Sequence, residues 1–368
     1  RIGTRYELYL VQYRIRTEFA YHTLCTSTSS SVPLSSTLTT LPSNNTSRIF
    51  SPHHRILWLG HTKGSLAEPA KMKLLLFASV ALGSVSAFVP ATFSRRTTTA
   101  LNAINVLAKK AKEDEVLKYL EDCDDEAVLT EYEKIKEKAG EPLPAIDGKR
   151  KLHEILHRRR RNVMVIAEYR RKLEMGGTID ETFDCELLSP AFREFQASAI
   201  AVLADERMGG CNYDDLQDFL TEQHRARLQV PGPVPIINSD LIVHEIQVAR
   251  SKAMGCAGIL LDFSIIGEDR LVDFLKATHA VDLEAIVTVS TAEDAQKAVD
   301  LGAQMVRVNI VGAHDMVELL QKVKLPEDTE THPVCMIAYL SSNKERLLSM
   351  EIEDAWVCRD GGYNAVWA

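Results

Sequence analysis

The segment from Pro233 to Arg250 (PVPIINSDLIVHEIQVAR) is where the sequence best indicates a place for chemistry. Val234 to Asn238 predicts a buried strand, and a polar turn and an amphipathic helix follow it. In proteins built of parallel strands and helices, reactive side chains lie at the carboxyl ends of the strands. Here that end holds Asn238 and Ser239, which are small and neutral and offer no acid or base near pH 7.

Other side chains with reactive or metal-binding potential are scattered. The seven cysteines form no CxxC pair, and their odd number favours buried free thiols over a disulfide framework or a zinc site. His153 and His157 are one helical turn apart and could form half of a metal site, but no carboxylate or cysteine accompanies them at ligand spacing. We therefore expect no metal and no other cofactor.

The charge of the chain bears on its partners. The 368 residues carry a net charge of -8 and a pI near 5.8, which argues against general nucleic-acid binding. The one dense basic run, His157 to Arg161, follows a helical pattern and directly precedes a predicted strand. We interpret it as a solvated helix end, with a binding patch as the alternative.

The first hundred residues have the composition of leader and targeting segments. Residues 1–71 lack methionine and contain a Ser/Thr-rich tract, so we expect translated sequence upstream of the true start or a disordered leader. Residues 72–87 predict a signal peptide, because an apolar run follows Lys71 and Lys73 and small residues end it at Ala87. The run is too short to span a membrane as a mature helix.

Residues 88–101 are rich in Thr and Arg and lack acidic residues, which is typical of a transit peptide. A signal peptide joined to a transit peptide, with Phe88 at the junction, resembles the bipartite plastid presequence of algae with secondary plastids. This resemblance implies a mature protein that begins near residue 100 and lies in the plastid stroma.

Residues 102–161 predict a charged helical extension. One amphipathic helix is expected from Asn102 to about Lys138, and a second from Lys149 to about Arg161, with Pro142 and Pro144 between them.

Residues 162–368 alternate between apolar runs and helical patterns. The predicted strands are 163–168, 199–203, 234–238, 258–262, 285–289, 305–309, 334–339 and 364–368, and the predicted helices are 213–224, 242–254, 268–278, 292–301, 314–323 and 344–359. Eight apolar strands with helices between them predict a (β/α)8 TIM barrel with an N-terminal helical extension. A doubly wound open sheet is the alternative, and it lacks a good Gly-rich turn after its first strand. The last strand runs to the final residue, so we expect it to be truncated.

Four segments together resemble indole-3-glycerol-phosphate synthase, a barrel of the tryptophan biosynthesis family. They are Val165 to Lys172, Ala199 to Asp205, Ile236 to Arg250, and Leu301 to Asn309. The resemblance covers about 163–368. It implies a lyase that closes an indole ring, with loss of carbon dioxide and water, from a carboxyphenylamino-deoxyribulose phosphate. It thereby implies a phosphorylated small molecule as ligand.

The same resemblance implies site residues. Glu168 and Asn309 keep the residue types of catalytic positions, whereas Ser239 stands for the lysine general acid, Thr288 for the glutamate general base and Tyr339 for a seventh-strand glutamate. Two further positions imply substrate binding. Arg170 replaces a lysine on the first strand, and Ser341 lies in the segment that helps to hold the substrate phosphate.

These replacements leave three functions open. Losing one general acid or base costs on the order of 10² to 10⁴ in rate, so we predict a family barrel with doubtful synthase activity or a non-catalytic binding or assembly subunit in the plastid. An ordinary synthase is the second reading. A different enzyme that uses Cys335 and Tyr339 is the third, although we expect Cys335 to lie too deep to react.

The named positions also have structural interpretations. Glu168 could pair with Arg170 or Arg307, and Asn309 could cap the sixth loop. Asp240 is expected to cap the helix that follows it, and Gly209 and Gly210 are expected to form a turn.

We predict that residues 72–105 fused to a fluorescent protein direct it to the plastid stroma of an alga with a secondary plastid. Co-localisation with chlorophyll fluorescence measures this. A fusion that lacks 72–87 should stay in the cytosol, because the first membrane is crossed by the signal peptide. Fluorescence of the complete fusion in the secretory pathway or the cytosol would contradict the prediction.

Overall fold

The computed structural model describes residues 94–143, 151–157, 163–172, 184–326, 333–340 and 348–368. The predictions for residues 1–93, the basic run at 158–161 and Ser341 lie outside this range. Among the described helices, none is long and apolar enough to cross a membrane.

Eight parallel strands close into a barrel in sequence order, with the last strand next to the first. The strands are β1 (Met164–Tyr169), β2 (Ala199–Val202), β3 (Ile236–Asn238), β4 (Gly258–Asp262), β5 (Glu284–Val289), β6 (Met305–Val308), β7 (Cys335–Tyr339) and β8 (Ala365–Trp367). Every predicted strand overlaps an observed one, so the TIM-barrel prediction is confirmed and the open sheet is excluded. The three residues of β8 pair with both β7 and β1 and complete the barrel wall.

Helices surround the barrel and precede it. They are α1 (Ser94–Asp122), α2 (Glu126–Lys138), α3 (Lys151–Leu156), α4 (Cys185–Glu194), α5 (Tyr213–Arg225), α6 (Glu245–Met254), α7 (Phe263–Ala280), α8 (Ala292–Asp300), α9 (Ala313–Lys322) and α10 (Leu348–Asp360). α1 begins inside the segment predicted as a transit peptide, and α7 is interrupted at Gly267. α4 was not predicted.

The prediction of one helix from Asn102 to Lys138 is wrong. The helix breaks between Asp122 and Glu126, where the side chain of Asp125 accepts hydrogen bonds from the backbone N–H groups of Ala127 and Val128. An aspartate that caps a new helix satisfies amide groups that the interior of a continuous helix would not leave open. The chain thereby reverses, and α2 packs against α6 and α7.

α3 closes the amino-terminal end of the barrel. Leu152 and Leu156 are fully buried in the cluster of side chains that fills the barrel interior. The carboxylate of Glu284 accepts hydrogen bonds from the backbone N–H groups of Leu152, at 2.7 Å, and His153, at 2.8 Å. The ring of His153 also lies 2.7 Å from the carbonyl oxygen of Pro333 and stacks on the ring of His157. These contacts give the two histidines a structural role, and no cluster of three metal-binding side chains occurs in the described ranges.

Candidate active site at the carboxyl end of the barrel

Four isoleucines mark one level of the barrel interior. Ile166, Ile237, Ile286 and Ile337 come from the odd-numbered strands and are fully buried. In (β/α)8 barrels, inward side chains from alternate strands form such layers of four. Because side chains alternate along a strand, the next inward level holds the residues two positions later.

That next level contains four of the predicted site positions, namely Glu168, Ser239, Thr288 and Tyr339. Tertiary structure therefore brings these positions together at the carboxyl end of the barrel, as the resemblance implies. We call this end the mouth.

Glu168 is engaged by two neighbouring groups. Its carboxylate oxygen Oε2 lies 3.5 Å from Nε of Arg170, and the two side chains are only 7% and 10% exposed. The hydroxyl of Tyr339 donates a long hydrogen bond of 3.4 Å to the same oxygen. The predicted structural pairing of Glu168 with Arg170 is confirmed, and Tyr339 holds the carboxylate from across the β1–β8–β7 side of the wall.

Thr288 is engaged by Arg307, which lies on β6 just below the level of Thr288. The guanidinium Nε donates to the threonine hydroxyl at 3.0 Å, and both side chains are buried. The guanidinium carbon lies 4.7 Å from the ring centre of Tyr339 and 4.5 Å from that of Trp367. A cation packed on aromatic faces gains electrostatic attraction as well as contact area. Arg307, Tyr339 and Trp367 thus fill the β6–β8 side of the mouth with protein side chains.

Ser239 and Asp240 point in opposite directions at the end of β3. Ser239 is buried on the inside, and its Oγ has no hydrogen-bond partner within the described part of the chain. Asp240 turns outward, where its Oδ2 accepts hydrogen bonds from the hydroxyl of Tyr213, at 2.7 Å, and Nε2 of Gln247, at 2.9 Å.

The prediction that Asp240 caps the following helix is wrong. α6 begins five residues later, and His244 caps it by accepting a hydrogen bond from the N–H of Ile246. The intervening residues from Leu241 are extended, so Asp240 lies too far from the first turn to reach its N–H groups.

A lysine that was not predicted pairs with Asp240. Nζ of Lys112, on α1, lies 2.7 Å from Asp240, 3.2 Å from Asp205 and 3.0 Å from Glu115. Lys112 is 2% exposed, and both aspartates are also buried. Burial alone would lower the pKa of this lysine, but the charges of Asp240 and Asp205 outweigh burial and hold the pKa above its ordinary value.

Asp205 transmits this anchoring to the loop after β2. Its Oδ1 accepts hydrogen bonds from the N–H groups of Arg207 and Met208, and its backbone carbonyl accepts from Gly209 and Gly210. Gly210 has a φ of +69°, which confirms the predicted turn. One lysine therefore fixes the tips of β2 and β3 to the helical extension.

A signal for Lys112 was present in the sequence. Ala108, Lys112 and Val116 follow one another at four-residue spacing, and the neighbours of the lysine on this stripe pack against the core. A lysine on the buried stripe of an amphipathic helix needs carboxylates nearby. Arg307 gave a comparable signal, as a charged residue inside an apolar strand.

The remaining predicted positions lie apart from these clusters. Asn309 follows β6 and is half-buried, and its backbone N–H donates to the carbonyl of Val289. Cys335 is fully buried on the far side of the isoleucine level, and burial raises the pKa of its thiol. A reaction through Cys335 is therefore excluded, as expected from its depth.

The mouth as a whole can hold charge but has few means of moving a proton. Thr288 accepts a hydrogen bond from a cation, which leaves it no base to activate it. Arg307 and Arg170 stay charged at all ordinary pH values. Lys112 holds its proton between two carboxylates on the outer side of the wall.

Comparisons with known proteins identify one family. A family model described as indole-3-glycerol phosphate synthase matches residues 122–342, which is more than half of the chain. The indole-3-glycerol phosphate synthase of Leptospira interrogans is 30% identical over 149 residues, which cover 40% of this chain and 56% of that protein. The corresponding protein of Roseiflexus is 29% identical over 167 residues, which cover 45% and 61%. The chain thus spans less than two thirds of the length of these relatives.

A search of solved structures gives weaker likenesses. The N-acetylmannosamine-6-phosphate 2-epimerase of Clostridium perfringens matches with a TM-score of 0.39 and 16% identity, over 61% of this chain and 92% of that one. A likeness at this level carries no argument about the present protein.

We predict that Lys112→Met lowers the free energy of unfolding by about 3 to 5 kcal/mol, because it leaves two buried carboxylates without a cation. Urea denaturation of the full chain at pH 8 measures this. Lys134→Met is the matched control, since Lys134 pairs with Glu131 on the surface, and it should change stability by less than about 1 kcal/mol.

The pH dependence gives a second readout of the same pair. In wild type the raised pKa of Lys112 means that its stabilisation is complete below about pH 10 and is lost only above it. In Lys112→Met the two carboxylates have raised folded-state pKa values, so their cost falls as the pH decreases and protons replace the lysine. A deficit that stays constant from pH 8 to pH 5 would contradict the buried ion cluster.

Proposed function

Because the chain belongs to the indole-3-glycerol phosphate synthase family, we propose that it is a barrel of this tryptophan-biosynthesis family that no longer closes the indole ring. We propose further that it acts by binding, as a non-catalytic subunit in the plastid stroma. The pairing of Thr288 with Arg307 is the observation that carries this proposal.

The ring closure needs an acid at the keto carbon and a base that removes protons. The resemblance puts the acid at position 239 and the base at position 288, where this chain has serine and threonine. The threonine hydroxyl accepts from Arg307, and Arg307 packs against Tyr339 at the position of the third acidic residue. Each change removes a group, and the arginine also takes up room where a substrate would lie.

Lys112 supports the proposal because it is a poor substitute for the lost acid. It lies outside the wall and is held by Asp240 and Asp205, whose charges raise its pKa. An efficient general acid has a pKa near the working pH, so this lysine would release its proton too reluctantly. Glu168 and Asn309 keep their residue types, but each needs the acid and base to be useful.

The proposed location rests on the composition of residues 72–101, and the proposed binding role rests on the helical extension. α1 and α2 place a charged surface beside the mouth, and Val106 and Leu107 on α1 are 65% and 69% exposed. Large exposed apolar side chains on a charged helix are suited to contact with a partner protein.

We predict that the full-length protein forms indole-3-glycerol phosphate more than about 10⁴-fold more slowly than an active family member, because both an acid and a base are absent. Fluorescence of the indole product, formed from the carboxyphenylamino-deoxyribulose phosphate, measures the rate. The synthase of Leptospira interrogans, assayed in parallel, tests the substrate and the conditions.

Complementation gives the same answer in cells. A tryptophan auxotroph that lacks its synthase should not grow on minimal medium when it expresses this protein, although immunoblotting shows soluble chain. Growth, or an in vitro rate within 10²-fold of the Leptospira protein, would overturn the proposal in favour of an ordinary synthase.

We also predict that the mature protein migrates in plastid stromal extract as part of an assembly larger than the monomer. Gel filtration followed by immunoblotting measures its size, and the purified mature chain shows whether self-association accounts for it. Val106→Ser together with Leu107→Ser should reduce the size if α1 carries the contact. Elution of the wild-type chain purely as a monomer in the extract would count against a subunit role.

A further inference from the structure

Two buried polar atoms in the mouth have no hydrogen-bond partner within the described part of the chain. They are Oγ of Ser239 and Nε1 of Trp367, whose residues are 2% and 0% exposed. Buried polar groups in native proteins nearly always have a partner, and an exception calls for a bound water, ion or ligand. The two atoms therefore indicate that something polar occupies the space between them.

Both atoms face the same part of the barrel interior. Ser239 lies one inward level above Ile237, and Trp367 pairs with Ile166 on one side and Tyr339 on the other. Trp367 thus lies between the isoleucine level and the level of Ser239. Arg307 occupies the same height as Trp367, because it lies between Thr288 and Ile337 in the register.

The groups around this space are hydrogen-bond donors. The indole N–H of Trp367 and the guanidinium of Arg307 can only donate, and the hydroxyl of Ser239 can also donate. A guanidinium has five N–H donors, so Arg307 can hold a guest in addition to its contact with Thr288. Donors around a buried cation select an acceptor with negative charge.

The surroundings also limit the size of the guest. The fully buried isoleucine level closes the space below, and the pair of Glu168 with Arg170 covers it above. The charge of Glu168 is offset by Arg170 and by the hydroxyl of Tyr339. Only a compact anion with several oxygen acceptors meets these conditions.

We propose that the mouth binds a small oxyanion, held by Arg307, Ser239 and Trp367. The oxyanion is either a phosphate-type or a carboxylate-type group, and the two share the acceptor geometry that these donors require. The site lies deeper in the barrel than position 341, which the family resemblance associates with the substrate phosphate. It goes beyond the proposed function, since it names a ligand that the barrel holds with or without a protein partner.

The test uses the intrinsic fluorescence of Trp367 in the full-length protein. The chain has three tryptophans, so Trp58→Phe and Trp356→Phe leave Trp367 as the reporter. Potassium phosphate is titrated in one arm and sodium formate or acetate in the other, at constant ionic strength. We expect a saturable change in emission in at least one arm, and the arm that responds identifies the type of oxyanion.

Three variants in the same background decide whether the response comes from this site. Ser239→Ala should weaken the affinity at least threefold, and Arg307→Lys at least tenfold because the planar fork of donors is lost. Arg270→Lys is the matched control, because Arg270 also packs over an aromatic ring, that of Phe274, but on the surface. Its affinity should equal that of the reporter protein.

Two results would overturn the proposal. One is the absence of a saturable response in both arms, which would mean that the two atoms hold water only. The other is an unchanged affinity in Ser239→Ala, which removes a single hydroxyl and stays folded even if Arg307→Lys does not. Neither result bears on the ring-closing assay, so failure of this proposal and failure of the proposed function are distinguishable.

Discussion

The buried ion cluster of Lys112, Asp205 and Asp240 is the constraint on which the carboxyl end of this barrel depends. Two carboxylates without a cation could not be buried at this depth, and the lysine that balances them comes from a helix far away in the sequence. The cluster binds α1 to the loops after β2 and β3. It also orients Asp240 outward, and the alternation of the strand then turns Ser239 inward.

The opposite side of the mouth is organised by a second buried cation. Arg307 connects Thr288 on β5 with Tyr339 on β7 and Trp367 on β8, so the wall from β5 to β8 is tied together from within. Ala201 and Ser239 on the other side are small, which gives these large side chains room. The family scaffold is thus preserved while the positions that carried its proton transfers serve packing and charge balance. Lys112 lies outside the segment that matches the family, whereas Arg307 lies within it.

Much of the fold could be predicted because its signals are local. Each strand is an apolar run, and glycines such as Gly255 and Gly302 end the preceding helices with positive φ values. The misses have equally physical causes. The break before Glu126 depends on which of several neighbouring aspartates caps a helix, and α4 contains Pro190, which weakened its pattern. The role of Asp240 was assigned to the nearest helix, but a distant cation stabilises it more than a turn of N–H groups would.

Hydrophobic periodicity along the chain was thus enough to decide that this protein is a closed barrel, and residue types at the strand ends were enough to place Glu168, Ser239, Thr288 and Tyr339 in one site. Sequence order could not decide which charges meet. Lys112 reaches Asp240 across 128 positions, and Arg307 reaches Trp367 across 60. Burial makes an unpaired charge so costly that these pairings follow from the packing of the whole barrel, and no local pattern contains that information.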